Sequence, residues 1–396
     1  MFSTISTFGR RLRLGVVGGG AKSFIGPVHR AAARMDDNYE VVASMLSSDP
    51  GRAKAEGRAI GIAEDRAYGS LEEMLAAERA RPDGIDVVAI MSPNDSHYRY
   101  CVAAIEAGYD IICDKPLATT LADAEDVARR AEKAGIVFCQ TFNYTGFPLV
   151  RQAMAMVRDG DIGAVRMVQA EYVQGYNYAL TPGERGEEAA NWHFQPEKAG
   201  MSLVLGDIGS HAHHLVRFVT GLEVSRLVAD VTATVPGRAS SAHDHAGILF
   251  RLANGAPGVM WVTQAGAGAV HGLHIRVFGE KGGLAWVQET PNQLFHSRPE
   301  APMLVYERGG PGLKPEARRA ERIAIGHPEG YQEAFAVLYA DAAEAIVARK
   351  LGKAPNRLAL DFPRAADGVE TLRFIAAAVE SSRTGAWVDC PDPRQP

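Results

Sequence analysis

The sequence predicts an α/β protein of two domains: a doubly wound parallel sheet, followed by an α+β domain with a large, mostly antiparallel sheet. Three observations support this. Short apolar runs alternate with helical segments through the first 140 residues, and strand-like runs then follow one another closely between 165 and 290. The chain is also long enough for two cores, with 396 residues of which 46% are hydrophobic. We expect domains at 1–145 and 146–396.

Five apolar runs of the first domain predict β-strands. They occupy residues 12–18, 39–46, 85–91, 109–114 and 136–142. Helices are predicted in the segments between these strands, at 24–35, 49–61, 70–80, 95–107 and 120–134. The third run is almost continuously apolar, as in a strand that is buried on both faces. Strands and helices in this order are typical of βαβ units and a parallel sheet.

After residue 146 the order of elements changes. Helices are expected at 147–159 and near 206–220, and the strand-like stretches between them and up to residue 290 are separated by Gly, Asn and Pro turn signals. The segment 290–325 is rich in Pro, Gly and Arg, and we expect a long surface loop or crossing arm there. Two further helices are predicted at 329–350 and 363–383.

Four alternating apolar residues of the second sheet are expected on an uncovered face: Val231, Leu249, Val259 and Val277. A large exposed apolar patch favours self-association through a symmetric interface. We therefore expect a homodimer or a homotetramer.

Composition and charge exclude several classes of protein. The net charge is −5 and the basic residues are dispersed, which argues against a nucleic-acid partner. No apolar run approaches the ~18 residues of a membrane-spanning helix, so no membrane partner is expected. The four cysteines form no CxxC pair, which is typical of free thiols in the cytoplasm.

The first predicted strand runs directly into three glycines. Such a turn, placed between a strand and a helix, lets the backbone approach the pyrophosphate of a dinucleotide. The third glycine of a GxGxxG pattern is replaced by Ser23, and Gly26 takes its place if Ala21-Lys22-Ser23 is an insertion. The residues predicted to bind cofactor in this Rossmann-type turn are Gly18, Gly19, Gly20, Ser23, Phe24 and Ile25.

The end of the second strand should contact the adenosine ribose. An acid there selects NAD, whereas a nearby Arg accommodates the phosphate of NADP. The strand ends in Ser47 and Ser48, with Arg52 one turn further on. NAD is favoured because no cation flanks Ser47, and NADP stays open because no acid is present.

Two other segments carry residues suited to catalysis. Lys115 follows a strand, at the edge where doubly wound sheets bind ligands. If 206–221 is helical, Asp207 and His211 share one face and His213 points elsewhere. A carboxylate beside an imidazole suits proton transfer at a secondary alcohol. Metal binding by the clustered histidines is the competing interpretation, but neither HExxH nor paired cysteines occur, and we expect no metal.

Together, the glycine turn, SPNDSHY at 92–98, DKP at 114–116 and GDIGSH at 206–211 resemble the Gfo/Idh/MocA family of sugar oxidoreductases. The resemblance implies that Lys115, Asp207 and His211 are catalytic. It also implies that Asp114, Lys115 and a further loop contact the cofactor, the loop residues being Ser92, Pro93, Asn94 and His97. Asp114 stands where the family commonly has Glu.

The same resemblance suggests residues that bind substrate. They are Lys115, Asn143, Tyr144, Gln174, Trp192, Asp207 and His211, with His193, His327 and Tyr331 as weaker candidates. His29 is expected near the nicotinamide if Ala21-Lys22-Ser23 is an insertion. It implies an NAD(P)-dependent oxidoreductase that acts on a secondary alcohol of a sugar, glycoside or polyol, held in a cleft between the domains. Oxidation to a 3-keto sugar, an inositol dehydrogenase-type reaction and a non-catalytic dinucleotide sensor remain open.

Overall fold

The computed structural model describes residues 2–179, 195–238 and 242–390. The chain forms two compact units. The first comprises Met1–Ala118, Ala122–Gly146 and Tyr331–Val369, and the second comprises Thr119–Leu121, Phe147–Gly330 and Glu370–Pro396. A single boundary at 145/146 would assign Tyr331–Val369 to the second domain, whereas its contacts place it in the first unit.

The first unit is built on a five-stranded parallel sheet, as predicted. Its strands are β1 (Leu12–Gly18), β2 (Tyr39–Met45), β3 (Val87–Met91), β4 (Asp110–Cys113) and β5 (Phe138–Gln140). Their order is β2-β1-β3-β4-β5. The helices in this part of the chain are α1 (Thr4–Phe8), α2 (Ile25–Met35), α3 (Pro50–Ala59), α4 (Leu71–Ala80), α5 (Asn94–Glu106) and α6 (Leu121–Ala134). All five residues of β3 are buried, in agreement with its continuous apolar run.

The second unit contains a nine-stranded sheet. Its strands are β6 (Val165–Gln174), β7 (Val224–Thr232), β8 (His245–Leu252), β9 (Pro257–Thr263), β10 (His271–Gly279), β11 (Gly283–Val287), β12 (Gln293–Ser297), β13 (Leu304–Glu307) and β14 (Val388–Asp389). Their order is β13-β12-β11-β10-β6-β9-β8-β7-β14. Only β6 and β9 pair in parallel, so the sheet is mostly antiparallel, as predicted.

The remaining helices are α7 (Pro148–Arg158), α8 (Pro196–Ala199), α9 (Ser210–Thr220), α10 (Pro315–Arg319), α11 (Tyr331–Lys350) and α12 (Ala365–Thr384). The expectation of a long loop at 290–325 is wrong, because this segment contains β12, β13 and α10. These elements have only four or five residues each and lie between Pro and Gly turns, so the turn signals dominate the sequence pattern.

Helix α11 packs against α2 and against the short turn Asn143–Gly146 in the first unit. The approach is close enough that a Cβ on Gly146 would overlap the backbone oxygen of Ala334. Thirteen of the twenty residues of α11 are buried. A helix covered on most sides has no single apolar stripe, so its sequence does not indicate which unit it joins.

The two faces of the nine-stranded sheet differ. Helix α9 packs on β6 and β10. Leu249 and Val259 are 52% and 41% exposed, as expected for an uncovered face. The expectation is wrong for Val231 and Val277, which are buried. These two residues pair with the buried Ala246 and Val168, so their side chains lie on the covered face. Other large apolar side chains exposed on this sheet are Met167, Trp261, Phe278, Leu304 and Val305.

The four cysteines Cys101, Cys113, Cys139 and Cys390 are free and buried. Within the described ranges, none of the helices combines the length and the apolar character needed to cross a membrane.

Candidate active site

The glycine turn of the first unit brings backbone segments into close contact. Gly18 and Gly19 have φ values of 75° and 69°, a left-handed conformation that glycine adopts without strain. A Cβ on Gly18 would lie 2.8 Å from the backbone of Ser92, and one on Gly19 would lie 2.6 Å from the side chain of Met91. The turn therefore lies directly against the end of β3.

Gly26 has the packing role of the missing third glycine. A Cβ there would overlap the carbonyl group of Gly19. The Ser23 Oγ accepts a hydrogen bond from the Gly26 N–H at 3.1 Å, close to the start of α2. The insertion thus supplies a polar side chain at the helix start, and Gly26 permits the close packing of helix and turn. Of the two other predicted contacts, Phe24 is exposed and Ile25 packs against the core.

The turn also binds a negatively charged oxygen. The Glu56 Oε2 accepts a hydrogen bond from the Ala21 N–H at 3.2 Å, and a Cβ on Gly20 would overlap this carboxylate. An oxyanion thus already contacts an N–H of the turn, and glycine leaves room for it. A turn that begins with three consecutive glycines leaves room for the pyrophosphate of a dinucleotide.

A cation lies beside Ser47, contrary to the sequence-based expectation. The Arg52 Nε donates to Ser47 Oγ at 2.8 Å, and the Arg52 backbone N–H donates to Asp49, which caps α3. The first turn of α3 brings residue 52 back to the end of β2, a proximity that five positions of separation did not reveal. The absence of a cation beside Ser47, which favoured NAD over NADP in the sequence, is therefore wrong. Ser48 carries no charge that would select either dinucleotide.

His97 connects two of the predicted cofactor loops. Its Nδ1 lies 2.6 Å from the carbonyl oxygen of Pro116, and its Nε2 lies 2.9 Å from that of Ser92. Pro93 precedes α5, and Asn94 is its first residue. The imidazole therefore fixes the loop after β3 to the loop that carries Lys115.

Asp114 holds the backbone of Lys115, one of the residues expected to be catalytic. Its Oδ1 accepts hydrogen bonds from the Lys115 N–H at 2.9 Å and from the Thr141 Oγ1 at 2.8 Å. The shorter carboxylate thus orients the backbone at Lys115, directly after β4.

His29 is completely buried behind this loop. Its Nδ1 lies 2.8 Å from the Tyr339 hydroxyl, and its Nε2 lies 4.0 Å from Asp114 Oδ1. Burial lowers the pKa of His29 to about 4, against the smaller opposing effect of the Asp114 charge. His29 is therefore neutral near pH 7.

Two more candidates of the first unit, Asn143 and Tyr144, lie in the turn that α11 covers, and both are buried. The Tyr144 ring packs edge-on against Tyr331, with 6.4 Å between ring centres.

His327, a candidate in the second unit, has an exposed side chain.

In the second unit, Asp207 does not lie in a regular α-helix. Leu205–Gly209 is a π-helical turn that leads into α9, and His211 is the second residue of α9. The expected helix is present, but the widened turn inserts an additional residue between regular α-helical segments and so changes the register of Asp207 relative to His211. Such turns are rare and occur frequently at functional sites.

Two side chains that the sequence did not indicate hold the Asp207 carboxylate. Its Oδ2 accepts hydrogen bonds from the Tyr176 hydroxyl at 3.0 Å and from Gln264 Nε2 at 2.6 Å. Gln264 also donates to the Tyr176 oxygen at 2.8 Å. Gln264 is the residue after β9 and Tyr176 lies two residues after β6, and no motif marks either of them.

His211 lies near an aromatic and polar group of residues. The Tyr172 ring is 6.3 Å from the His211 ring and 5.5 Å from that of His271, whose Nδ1 is 3.1 Å from Gln174 Nε2. The other histidine of the helix, His213, stacks on Phe374 at 4.2 Å, away from this group. Trp192 and His193 lie outside the described residues.

Across the residues that the structure describes, no group of three or more His, Cys, Asp and Glu side chains is arranged to hold a metal ion.

Comparisons with known proteins agree with this architecture. Residues 12–142 match the model of an oxidoreductase family with an NAD-binding Rossmann fold, and residues 150–285 match the GFO/IDH/MocA C-terminal domain. An oxidoreductase of Bacillus subtilis is 34% identical over 96% of each chain. Levoglucosan dehydrogenase of Pseudarthrobacter phenanthrenivorans is 27% identical over 78% of this chain and 81% of its own.

A solved structure is also similar over nearly the whole chain. It is an inositol dehydrogenase homolog from Azotobacter vinelandii complexed with NAD+, 37% identical, with a TM-score of 0.90 over 96% of this chain and 97% of that chain. The same homolog complexed with NADH and myo-inositol is 36% identical, with a TM-score of 0.87 over 96% and 98%. With both family models and full-length relatives in agreement, the chain belongs to the Gfo/Idh/MocA family and is an NAD(P)-dependent oxidoreductase of the sugar and polyol type.

Proposed function

We propose that the protein transfers hydride between NAD and a ring secondary alcohol of a cyclic polyol of the myo-inositol type. The observation that carries this proposal is the 36% identity, over 96% of the chain, to a structure complexed with NADH and myo-inositol. Asp207 and His211, four positions apart in one helical segment, and the anchored Lys115 support it, because oxidation of an alcohol needs a proton acceptor and a positive charge near the oxygen.

Each proposed residue has one role. His211 accepts the hydroxyl proton, and the Lys115 ammonium stabilises the negative charge that develops on oxygen. The Asp207 carboxylate accepts a hydrogen bond from a substrate hydroxyl and so orients the ring. The bound nicotinamide supplies the hydride acceptor. The glycine turn and the residues at the end of β2 would hold the dinucleotide.

A panel assay tests the substrate. Purified protein is mixed with NAD+ and, separately, with myo-inositol, other inositols, levoglucosan, simple glycosides and acyclic polyols, while nicotinamide absorbance is followed. We expect the highest kcat/KM with an inositol. Turnover of acyclic polyols alone would contradict the proposal, and dinucleotide binding without turnover of any compound would favour a sensor.

Oxidation of an anhydrosugar or glycoside to a 3-keto sugar is the second candidate. Its support is the similarity to levoglucosan dehydrogenase over 78% of this chain. The same panel separates the two candidates, because levoglucosan would then exceed every inositol, and the position of the new carbonyl group is read by NMR of the product.

We also propose a cytoplasmic homodimer or homotetramer. Free buried thiols are typical of a reducing compartment. The exposed side chains of Leu249, Val259 and Trp261 form an apolar surface suited to symmetric association. Light scattering should give a dimer or tetramer for the wild type and a smaller species for Leu249→Glu. The control Val270→Glu, at an exposed residue just before β10, should leave the mass unchanged.

A further inference from the structure

Gln264, the residue after β9, is fully buried and uses both its backbone and its side chain in hydrogen bonds. Its N–H donates to the Asp244 carbonyl at 2.9 Å, and its carbonyl accepts from the Asn177 N–H at 3.1 Å. Its side-chain oxygen accepts from Asn177 Nδ2 at 3.0 Å. Its side-chain nitrogen donates to Asp207 and Tyr176. A residue bonded in this way is held in one orientation.

The direction of the amide follows from the chemistry of its neighbours. An ionised carboxylate only accepts hydrogen bonds, so the Gln264 atom 2.6 Å from Asp207 Oδ2 must be the NH2 group. The oxygen then faces Asn177, which presents its own NH2. This assignment satisfies every contact, whereas the flipped amide would place two oxygens against each other.

A buried ion pair stabilises this arrangement from behind. Arg238 donates to Asp244 at 2.6 Å and to the Asn177 carbonyl at 2.7 Å, and the side chains of Arg238 and Asp244 are fully buried. Because Asn177 and Gln264 are bonded to each other through backbone and side chain, Arg238 fixes both. Gln264 is thereby prevented from turning away from Asp207.

We infer that Gln264 is a positioning residue that orients the Asp207 carboxylate for polyol binding, with the Tyr176 hydroxyl as the second donor to the same oxygen. This inference rests on the proposed function, in which Asp207 binds the substrate. Hydrogen bonds to an ionised acceptor are stronger than neutral ones and favour the charged form. The loss of Gln264 therefore weakens polyol binding more than dinucleotide binding.

Two substitutions test the inference. Gln264→Leu removes the donor, and we expect kcat/KM for the best polyol to fall about 10- to 100-fold, mainly through KM. Gln264→Glu places a second carboxylate beside Asp207, and two carboxylates at this distance share a proton. The acid limb of the pH profile of kcat/KM should therefore move up by about one unit or more. NADH affinity, measured by fluorescence, should stay unchanged in both variants.

The matched control is Gln152→Leu. Gln152 is also buried and bonds the Lys314 N–H at 2.7 Å, away from this network. It should lower Tm without moving the pH profile. If Gln264→Leu does not fold, Tyr176→Phe removes the second donor at an exposed ring and should move the same limb in the same direction.

The outcomes separate the inference from the proposed function. An active wild type whose pH profile coincides with those of Gln264→Glu and Tyr176→Phe overturns the inference alone. A wild type that binds NADH but neither binds polyols by calorimetry nor oxidises them overturns both.

Discussion

The glycine turn of the first unit and the Asp207 cluster of the second unit both handle negative charge, but they are built differently. The turn presents backbone N–H groups and depends on the absence of a Cβ atom at four glycines that lie within nine consecutive residues, 18–26. The cluster uses side chains, and its two donors are 31 and 57 positions from Asp207. A site made of backbone is therefore visible in a short motif, whereas a site made of side chains depends on the fold.

The largest expected effect tests whether each unit contributes to catalysis. Lys115→Ala and His211→Ala should each lower kcat by about 10²–10⁴, since in the proposed mechanism each residue acts on the reacting hydroxyl. Both variants should still bind NADH. Stopped-flow and steady-state assays on the best polyol of the panel measure this.

His213→Ala is the control on the same helix. It removes a buried ring that stacks on Phe374, so it should lower the free energy of unfolding by about 0.5–3 kcal/mol and leave kcat little changed. Equal damage from His213→Ala and His211→Ala would show that the histidines act as one structural network and not as a catalytic base and a packing residue.

The buried His29 should make the stability of the first unit depend on pH. Burial lowers the pKa of His29 to about 4, so between about pH 6.5 and 4 the unfolded chain binds more protons than the folded protein. The free energy of unfolding should therefore fall as the pH is lowered through this range. This one group should account for a loss of about 2–3 kcal/mol that is absent above pH 6.5.

Denaturant titrations from pH 7 to 4.5 measure the effect. His29→Gln should show a shallower dependence on pH than the wild type, and His327→Gln, at an exposed histidine, should follow the wild type. Parallel curves for His29→Gln and the wild type would show that folding does not lower the pKa of His29.

The backbone site is tested by adding a single carbon atom. Gly26→Ala places a Cβ against the Gly19 carbonyl, where backbone and not a mobile side chain must move. We expect a loss of about 1–3 kcal/mol in stability together with weaker NADH binding, because helix and turn separate. Gly51→Ala adds the same atom in α3, where its closest neighbour would be 3.5 Å away, and it should be neutral or stabilising. Wild-type NADH affinity in Gly26→Ala would contradict the role assigned to the turn.

The comparison also explains which features the sequence predicted. The parallel sheet follows from apolar runs that need no knowledge of distant contacts, and β1 matches its predicted bounds at both ends. The replacement of the third glycine by Gly26 followed from the local pattern as well. Motifs that depend on backbone conformation and short spacing can be recognised from the amino-acid sequence alone.

The features that were missed depend on the fold. Gln264 and Tyr176 look like ordinary residues after strands, and only the pairing of the sheet brings them to Asp207. The sequence alternation does not show which face of the sheet the helices cover, so it could not assign Val231 and Val277 to the buried face. Arg52 was predicted as a contact but was not placed beside Ser47, because the first turn of α3 decides its position.

The smallest expected effect concerns that same arginine and the choice between the two dinucleotides. With its Nε bonded to Ser47 Oγ at 2.8 Å, Arg52 lies at the end of β2, where a dinucleotide fold places the adenosine ribose. Its charge would attract the phosphate that distinguishes NADP from NAD, so Arg52→Gln should weaken NADPH binding about tenfold relative to NADH binding. Arg58→Gln, an exposed position later in α3, should leave the ratio of the two dissociation constants unchanged. Fluorescence titrations with NADH and NADPH give both constants for each variant. An unchanged ratio in Arg52→Gln would mean that the adenosine end binds away from Ser47, and the backbone turn alone would then determine where the dinucleotide lies.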